Sequence, residues 1–489
     1  MFVEATPEKC GISSKRVLEF LKTLDSYGMS VHSIIMARGN EVFTECYYKP
    51  FEHAYKHRMY SVSKSFVSLA IGFLADEGRI SLDDKFADFF GEYDISSDEY
   101  MKEATIRDML SMQTSMHYAI DWFSKKPRNR ADVYFEKTSE KIPGTIFSYD
   151  SPCSYMLGVI VEKLTGKPFM EYLKEKVLYD IGFSDDAYCL KAPGGYSFGD
   201  SGVMCTSRDL LAVARFVLNG GTWNGRRYIS QEYLNEATTS IACNGDGRAS
   251  GHRGYGYGYQ FWITPGNGFA FVGMGDQLAI CDRDKDFIFI ITADNQGFDA
   301  GRVIIYHELY KSIIGNLSTP VKEDKKAFSK LIDYIKSAEL MHLKHDGDNP
   351  LAERIENITY SLQDNPMGIE YVRFNFIGKK GTLYFKNAQG EKSLTFGIGY
   401  NEFGNFPQEG YSDMTATEYA PGNMYRCACS ADFPKEDMLR IRVQIIDKYF
   451  GNGCFLFGFK NNMIAVEMKK TAEAFMLEYE GIAMGERKN

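Results

Sequence analysis

What this chain lacks narrows its class first. No uninterrupted apolar run approaches the ~20 residues that cross a bilayer as a helix, so no helical membrane span is expected. No basic cluster forms a phosphate footprint and the net charge is −9, which argues against a nucleic-acid partner. The opening Met1-Phe2-Val3-Glu4-Ala5-Thr6-Pro7-Glu8 has neither the basic nor the apolar region of a secretory leader, and the expected location is the cytoplasm. Ten cysteines are scattered without framework spacing, which suits reduced, mostly buried thiols. Cys427 and Cys429 share a strand face with no second Cys or His pair nearby. His342 and His345 are spaced for one helix face with no third ligand, so neither pair predicts a metal site. No cofactor and no membrane partner are expected.

What is present reads as an ordinary globular composition, 44% hydrophobic and 25% charged, in 489 residues that suffice for two or three domains. The first region is mixed α/β. Ser33 to Met36 and Glu41 to Tyr48 flank Arg38-Gly39-Asn40 as a hairpin, and helical patterns follow at 66–77, 106–112, 153–164 and 209–218. Apolar strands are predicted at 269–272, 278–281 and 287–292, the last pair joined by a charged turn from Asp282 to Asp286. A closing helix over 303–314, a charged linker over 319–326 and a helix over 328–343 lead into a region of different character. There strand follows strand at 369–377, 382–385, 393–398, 424–430, 439–446, 455–459 and 463–469. Leu439, Ile441, Val443 and Ile445 alternate with Arg440, Arg442 and Gln444, giving one apolar and one polar face. The expected organisation is a first domain over 1–317, a linker and helix over 318–352, and an antiparallel barrel or sandwich over 353–489.

The chemistry concentrates at Tyr60-Ser61-Val62-Ser63-Lys64-Ser65-Phe66. Residues three apart on a helix share a face, so Ser61 Oγ and Lys64 Nζ are placed to meet. A serine hydroxyl needs a nearby base, and a lysine serves as one only when its neutral form is accessible. The helix start supplies backbone N–H groups against a developing oxyanion. A lone Ser-x-x-Lys is common, and most examples are solvated helix faces. Downstream, Tyr149 stands in a polar turn before a helix, where it reads either as a proton-transfer phenol or as a packed tyrosine.

The segment Tyr60 to Phe66 resembles the nucleophile motif of the serine β-lactamase and penicillin-binding-protein superfamily, most closely the branch of class C β-lactamases, related esterases and aminohexanoate-dimer hydrolases. Further landmarks fall in that branch's order: Gly78 to Lys85, Ile106 to Met112, Pro143-Gly144 to Tyr149, Thr206 to Leu210, Asn219-Gly220-Gly221, and Gly273-Met274-Gly275-Asp276-Gln277 at the third-motif position. The likeness covers about residues 5 to 315. It implies a transpeptidase-like α/β (α+β) fold, an antiparallel sheet flanked by helices with a helical subdomain, ahead of the all-β domain. It implies Ser61 as nucleophile, Lys64 as the partner that takes or relays its proton, and Tyr149 as third member, with the choice of general base between Lys64 and Tyr149 open. The oxyanion hole would use the backbone N–H groups of Ser61 and Asp276. Gly275, Gln277, Ser151, Trp122 and Tyr257 are substrate-site candidates, with His117 and Tyr118 on the same loop as Trp122; a buried strand is the other reading of Tyr257.

Two departures bear on substrate. The branch's third motif usually carries a Lys or His cation and a hydroxyl that grip a carboxylate, whereas Gly273-Met274-Gly275 has neither. Losing such a contact removes about 1.5–3 kcal/mol of binding. Ser151 replaces an Asn, offering one donor where an amide has two. The expected function is therefore a serine hydrolase of small esters or amides. The alternatives are a β-lactamase or D-amino-acid peptidase and, from another class, a catalytically weak binding or sensor protein.

Overall fold

A computed structural model describes residues 2–116, 128–245, 248–347, 350–412, 419–473 and 475–488. The chain forms two compact units, Met1–Glu339 and Leu340–Asn489. No helix among the described residues is long and apolar enough to cross a membrane.

The first unit is built on a seven-stranded sheet. Its order is Val3–Glu4, Glu41–Tyr47, Val31–Arg38, Phe287–Ala293, Gln277–Asp282, Gly268–Gly273 and Trp262–Thr264. All pairings are antiparallel except the outer one, where Val3–Glu4 runs parallel to Glu41–Tyr47, so the sheet is mixed rather than purely antiparallel. The central strands Gln277–Asp282 and Phe287–Ala293 are buried along their whole length. That is why they read as continuous apolar runs: helices cover both faces. Alternation puts Phe289 on one face, where Phe20 of the helix Ser14–Ser26 meets it at 5.8 Å. Thr292 lies on the other, where Ser33 Oγ bridges it (2.7 Å) to Ser207 Oγ (2.6 Å) at the start of the helix Ser207–Leu218.

The helical part centres on Ser63–Asp76, in which every residue from Ser63 to Leu74 is buried. A helix buried all round needs small residues where its neighbours approach. Tyr233 donates its hydroxyl to the Ser68 carbonyl (2.7 Å), and its ring lies so close to Gly72 that a Cβ there would come within 2.5 Å of it. The helix predicted over 328–343 is Lys325–Ser337 and belongs to the first unit; Tyr334 and Tyr48 hydroxyls meet at 3.4 Å, and the Lys49 amide donates to the Ala338 carbonyl.

In the second unit the strands close into a ring. The order Gly390–Ile398, Lys380–Asn387, Tyr371–Ile377, Thr359–Leu362, Gly481–Arg487, Met463–Ala472, Phe450–Lys460, Met438–Ile446, Arg426–Lys435 returns on itself through Gly397–Ile398 paired with Ser430–Ala431. Of the two architectures expected, the barrel is the one formed, and Glu402–Asn405 adds outside the ring on Arg426–Lys435. Leu439, Ile441, Val443 and Ile445 are buried as their alternation requires, but Gln444 is buried too and donates to the Met341 carbonyl (2.8 Å). The strand Gly481–Arg487 carries no sequence signal because its pattern is inverted: Ala483 and Gly485 face inward while Ile482 and Met484 are exposed.

Alanine is the better helix former, yet Gly72→Ala is expected to lower stability by ~1–3 kcal/mol, because the added methyl overpacks against Tyr233. Urea unfolding measures it; a variant as stable as the parent or more so would show that the Tyr233 ring yields freely.

Candidate active site

Ser61 is the middle residue of a single 3-10 turn, Tyr60–Val62, that runs directly into the helix Ser63–Asp76. Tyr60 has φ +48°, a left-handed conformation that costs an aromatic residue on the order of 1–3 kcal/mol. The surroundings impose it. The Met59 amide donates to the Val203 carbonyl, and the Val203 amide to Ser63 Oγ (3.0 Å). The buried Arg58 guanidinium lies 4.3 Å from the Tyr60 ring and donates to the Ser201 carbonyl (3.0 Å) and hydroxyl (3.1 Å). From the sheet side, Gly273 comes so close that a Cβ would sit 2.4 Å from the Met59 carbonyl. A glycine opens the third motif because the nucleophile turn leaves no room for a side chain.

Lys64 is 1% exposed, and its ammonium donates to Ser61 Oγ (2.9 Å) and to the Asp200 carbonyl (2.7 Å). Its Nζ lies 5.2 Å from the centre of the Tyr149 ring. The three residues inferred from the motifs are therefore together. Tyr149 stacks on Trp262 at 5.5 Å, and Trp262 in turn meets Tyr257 (5.0 Å) and His252 (4.3 Å) edge to face. Burial, with Arg302 and Arg253 nearby, holds His252 well below the usual imidazole range, so the ring is neutral. Ser151 is half-buried at the first position of the helix Ser151–Thr165, two residues beyond Tyr149.

Asp150, between Tyr149 and Ser151, has no distinguishing signal in the sequence. Its carboxylate caps that helix, accepting from the Cys153 amide (3.2 Å) and the Thr114 hydroxyl (3.0 Å). Complete burial pushes it up to about 6, against the opposing pull of Thr114, Cys153, Lys141 and Lys64.

The third motif forms the turn between Gly268–Gly273 and Gln277–Asp282, with Gly275 at φ +72° and Asp276 at φ +71°. Two expectations change here. Gln277 does not present its amide to a substrate: Nε2 donates to the Met274 (2.8 Å) and Ala293 (2.6 Å) carbonyls and Oε1 accepts from the Ala293 amide (3.1 Å). It ties the turn to the next strand. Tyr257 is 1% exposed, so it packs behind Trp262 and Phe147 rather than lining a cleft. Asp276 carries its carboxylate into contacts with Arg302 Nε (2.8 Å) and Asn295 Nδ2 (3.0 Å), which leaves a main-chain role as its candidate one. Arg302 also donates to the Gly273 carbonyl (2.8 Å). A cation thus reaches the third motif after all, from a helix 26 residues away, but it is paired to Asp276. Trp122, His117 and Tyr118 lie outside the described residues.

Chemically, the site offers the Ser61 hydroxyl hydrogen-bonded to a buried lysine nitrogen, with a phenol ring beside it, at a turn whose Val62 and Ser63 amides already donate to the Met59 and Tyr60 carbonyls. The titration of Asp150 has a measurable sign. Its proton is held more tightly folded than unfolded, so as pH rises from about 4 to about 6 the fold loses stability through this group. Asp150→Asn keeps a cap and has nothing to ionise. Its stability relative to the parent is expected to rise by on the order of 2–3 kcal/mol across that window. Denaturant unfolding at pH 4 and pH 7 checks this; a constant difference between the two proteins contradicts it.

Comparison with known proteins agrees with this geometry. Over 257 residues the chain is 28% identical to the 6-aminohexanoate-dimer hydrolase of Paenarthrobacter ureafaciens, a match that covers 47% of this chain and spans 64% of the length of that relative. The fold is shared with a Bacillus anthracis protein assigned as a 6-aminohexanoate-dimer hydrolase, at TM-score 0.52 and 20% identity over 65% of this chain and 86% of that one. It is shared equally with a Bacteroides dorei protein assigned as a beta-lactamase, at TM-score 0.52 and 15% identity over 62% and 98%. The sequence profile of the Beta-lactamase family matches residues 19–308, more than half of the chain and all of the elements that position Ser61, Lys64 and Tyr149. The chain belongs to the beta-lactamase family.

Proposed function

We propose that this protein is a serine hydrolase that forms an acyl-enzyme on Ser61 and acts on a small ester or amide. The observation that carries the reading is the buried Lys64 amine held 2.9 Å from Ser61 Oγ with Tyr149 beside it. Lys64 takes or relays the Ser61 proton as Oγ attacks the substrate carbonyl. The oxyanion is met by the backbone N–H groups of Ser61 and Asp276. Tyr149 protonates the leaving group and then aids the water that releases the acyl group, by microscopic reversibility. No part of this needs a metal or cofactor.

Small esters and amides are favoured over β-lactams and peptidoglycan stem peptides, because the third motif itself has no carboxylate grip and Arg302 is engaged by Asp276. The likeness to a hydrolase of 6-aminohexanoate dimers supports amides. Ser151, offering less help to an amine leaving group than an Asn, supports esters.

Turnover of short-chain p-nitrophenyl esters, run beside a chromogenic β-lactam, tests this. Ser61→Ala is expected to lower kcat/KM by ~10⁴-fold or more, and Lys64→Ala by a similar factor because the two act as a unit. Tyr149→Phe is expected to lower kcat by ~10²–10⁴-fold, the usual worth of a general acid or base. Ester hydrolysis that persists in Ser61→Ala refutes the nucleophile; β-lactam hydrolysis faster than ester hydrolysis refutes the substrate class.

A further inference from the structure

Lys64 has two protein acceptors, and one of them is not on a motif. The Asp200 carbonyl, 2.7 Å from Nζ, sits in the turn Phe198–Ser201, closed by the Ser201 amide donating to the Phe198 carbonyl (3.0 Å). A carbonyl in a loop points the ammonium at Ser61 only if the loop itself cannot turn. Two arginines hold it. Arg58 donates to the Ser201 carbonyl and hydroxyl, with its guanidinium 5.3 Å from the Phe198 ring. Arg130 lies 3.9 Å from the same ring, and its Nη1 pairs with Asp200 Oδ1 at 3.8 Å, an ionic contact with no hydrogen bond between the two atoms. Both guanidiniums thus lie against Phe198.

All of these groups are inside the protein: Arg58 is 0%, Arg130 5%, Asp200 1% and Phe198 1% exposed. A buried ion pair is costly to desolvate, and an apolar pair of the same volume is often as stable or more so. Stability alone is thus a weak reason for Arg130 and Asp200 here. Locally, the pair engages the side chain of the residue whose carbonyl accepts from Lys64 Nζ.

We propose that the Arg130–Asp200 ion pair is a positioning device for the reaction: it locks the Phe198–Ser201 turn so that the Asp200 carbonyl aims Lys64 Nζ at Ser61 Oγ. Neither residue touches substrate. The proposal rests on the acyl-enzyme reading of Ser61, and it predicts a loss in the chemical step rather than in binding.

The experiment compares the full-length parent with Arg130→Met/Asp200→Asn, which removes both charges and leaves no uncompensated carboxylate, and with Arg130→Lys, which keeps the pair. Ester kcat and KM, thermal unfolding and the rate of Ser61 labelling by a fluorophosphonate are read on each. The double variant is expected to unfold within about 5 °C of the parent, in line with the near-neutral replacement of buried pairs by groups of similar volume. Its kcat and labelling rate are expected to fall ~10–100-fold with KM within about twofold, the cost of misplacing a reacting group. Arg130→Lys is expected to recover kcat to within about fivefold of the parent. A folded double variant with the parent's kcat overturns the proposal and leaves the acyl-enzyme reading standing, as does a rise in KM at unchanged kcat. A parent that neither turns over esters nor is labelled at Ser61 overturns both.

Discussion

A lysine side-chain nitrogen buried at 1% exposure must find its hydrogen-bond partners inside the protein, and much of the first unit is arranged around that requirement at Lys64. One acceptor is the Ser61 hydroxyl, and the other is a main-chain carbonyl from a turn 136 residues away. The two can be reached at once only if the 3-10 turn, the following helix and the Phe198–Ser201 turn are held in fixed register. The strained Tyr60 backbone, the Arg58 bonds to Ser201 and the exchange between Met59, Ser63 and Val203 supply that register. Strain of this kind persists only where the neighbourhood over-determines it.

The sheet contributes by proximity. Its Gly268–Gly273 strand ends against the nucleophile turn, and the Gln277 amide pins the motif that follows to the next strand. The aromatic group of Tyr149, Trp262, Tyr257 and His252 extends away from Lys64, with successive rings 4.3–5.5 Å apart. Tyr149 is thereby packed by its ring face. Asp150, next in sequence, is a buried carboxyl that caps the following helix, with Lys64 among the charges that act on it.

Ser61, Lys64 and Tyr149 were legible because their chemistry is written in residue type and in short spacing, and the ordered landmarks around them removed the ambiguity of a lone tetrapeptide. The hairpins of the central sheet were legible for a related reason, since strands covered on both faces leave unbroken apolar runs such as Phe287 to Thr292. The contacts of Gln277 are not legible in sequence, because an amide beside a motif looks the same whether it meets a substrate or the backbone of Met274 and Ala293. Nor is the contact of Arg302, since nothing local ties it to Gly273. The last barrel strand escaped because its inward residues, Ala483 and Gly485, are the small ones.

By itself, then, the sequence determined which side chains are candidates for the chemistry and how most local segments fold: 3.6-residue and 2-residue periodicities, caps and turn residues are short-range facts. Only the tertiary structure decided what completes the site. The second acceptor of Lys64 is a backbone carbonyl, identical in every residue type and so invisible in any sequence, and it becomes specific solely because the fold carries Asp200 to within 2.7 Å of that amine.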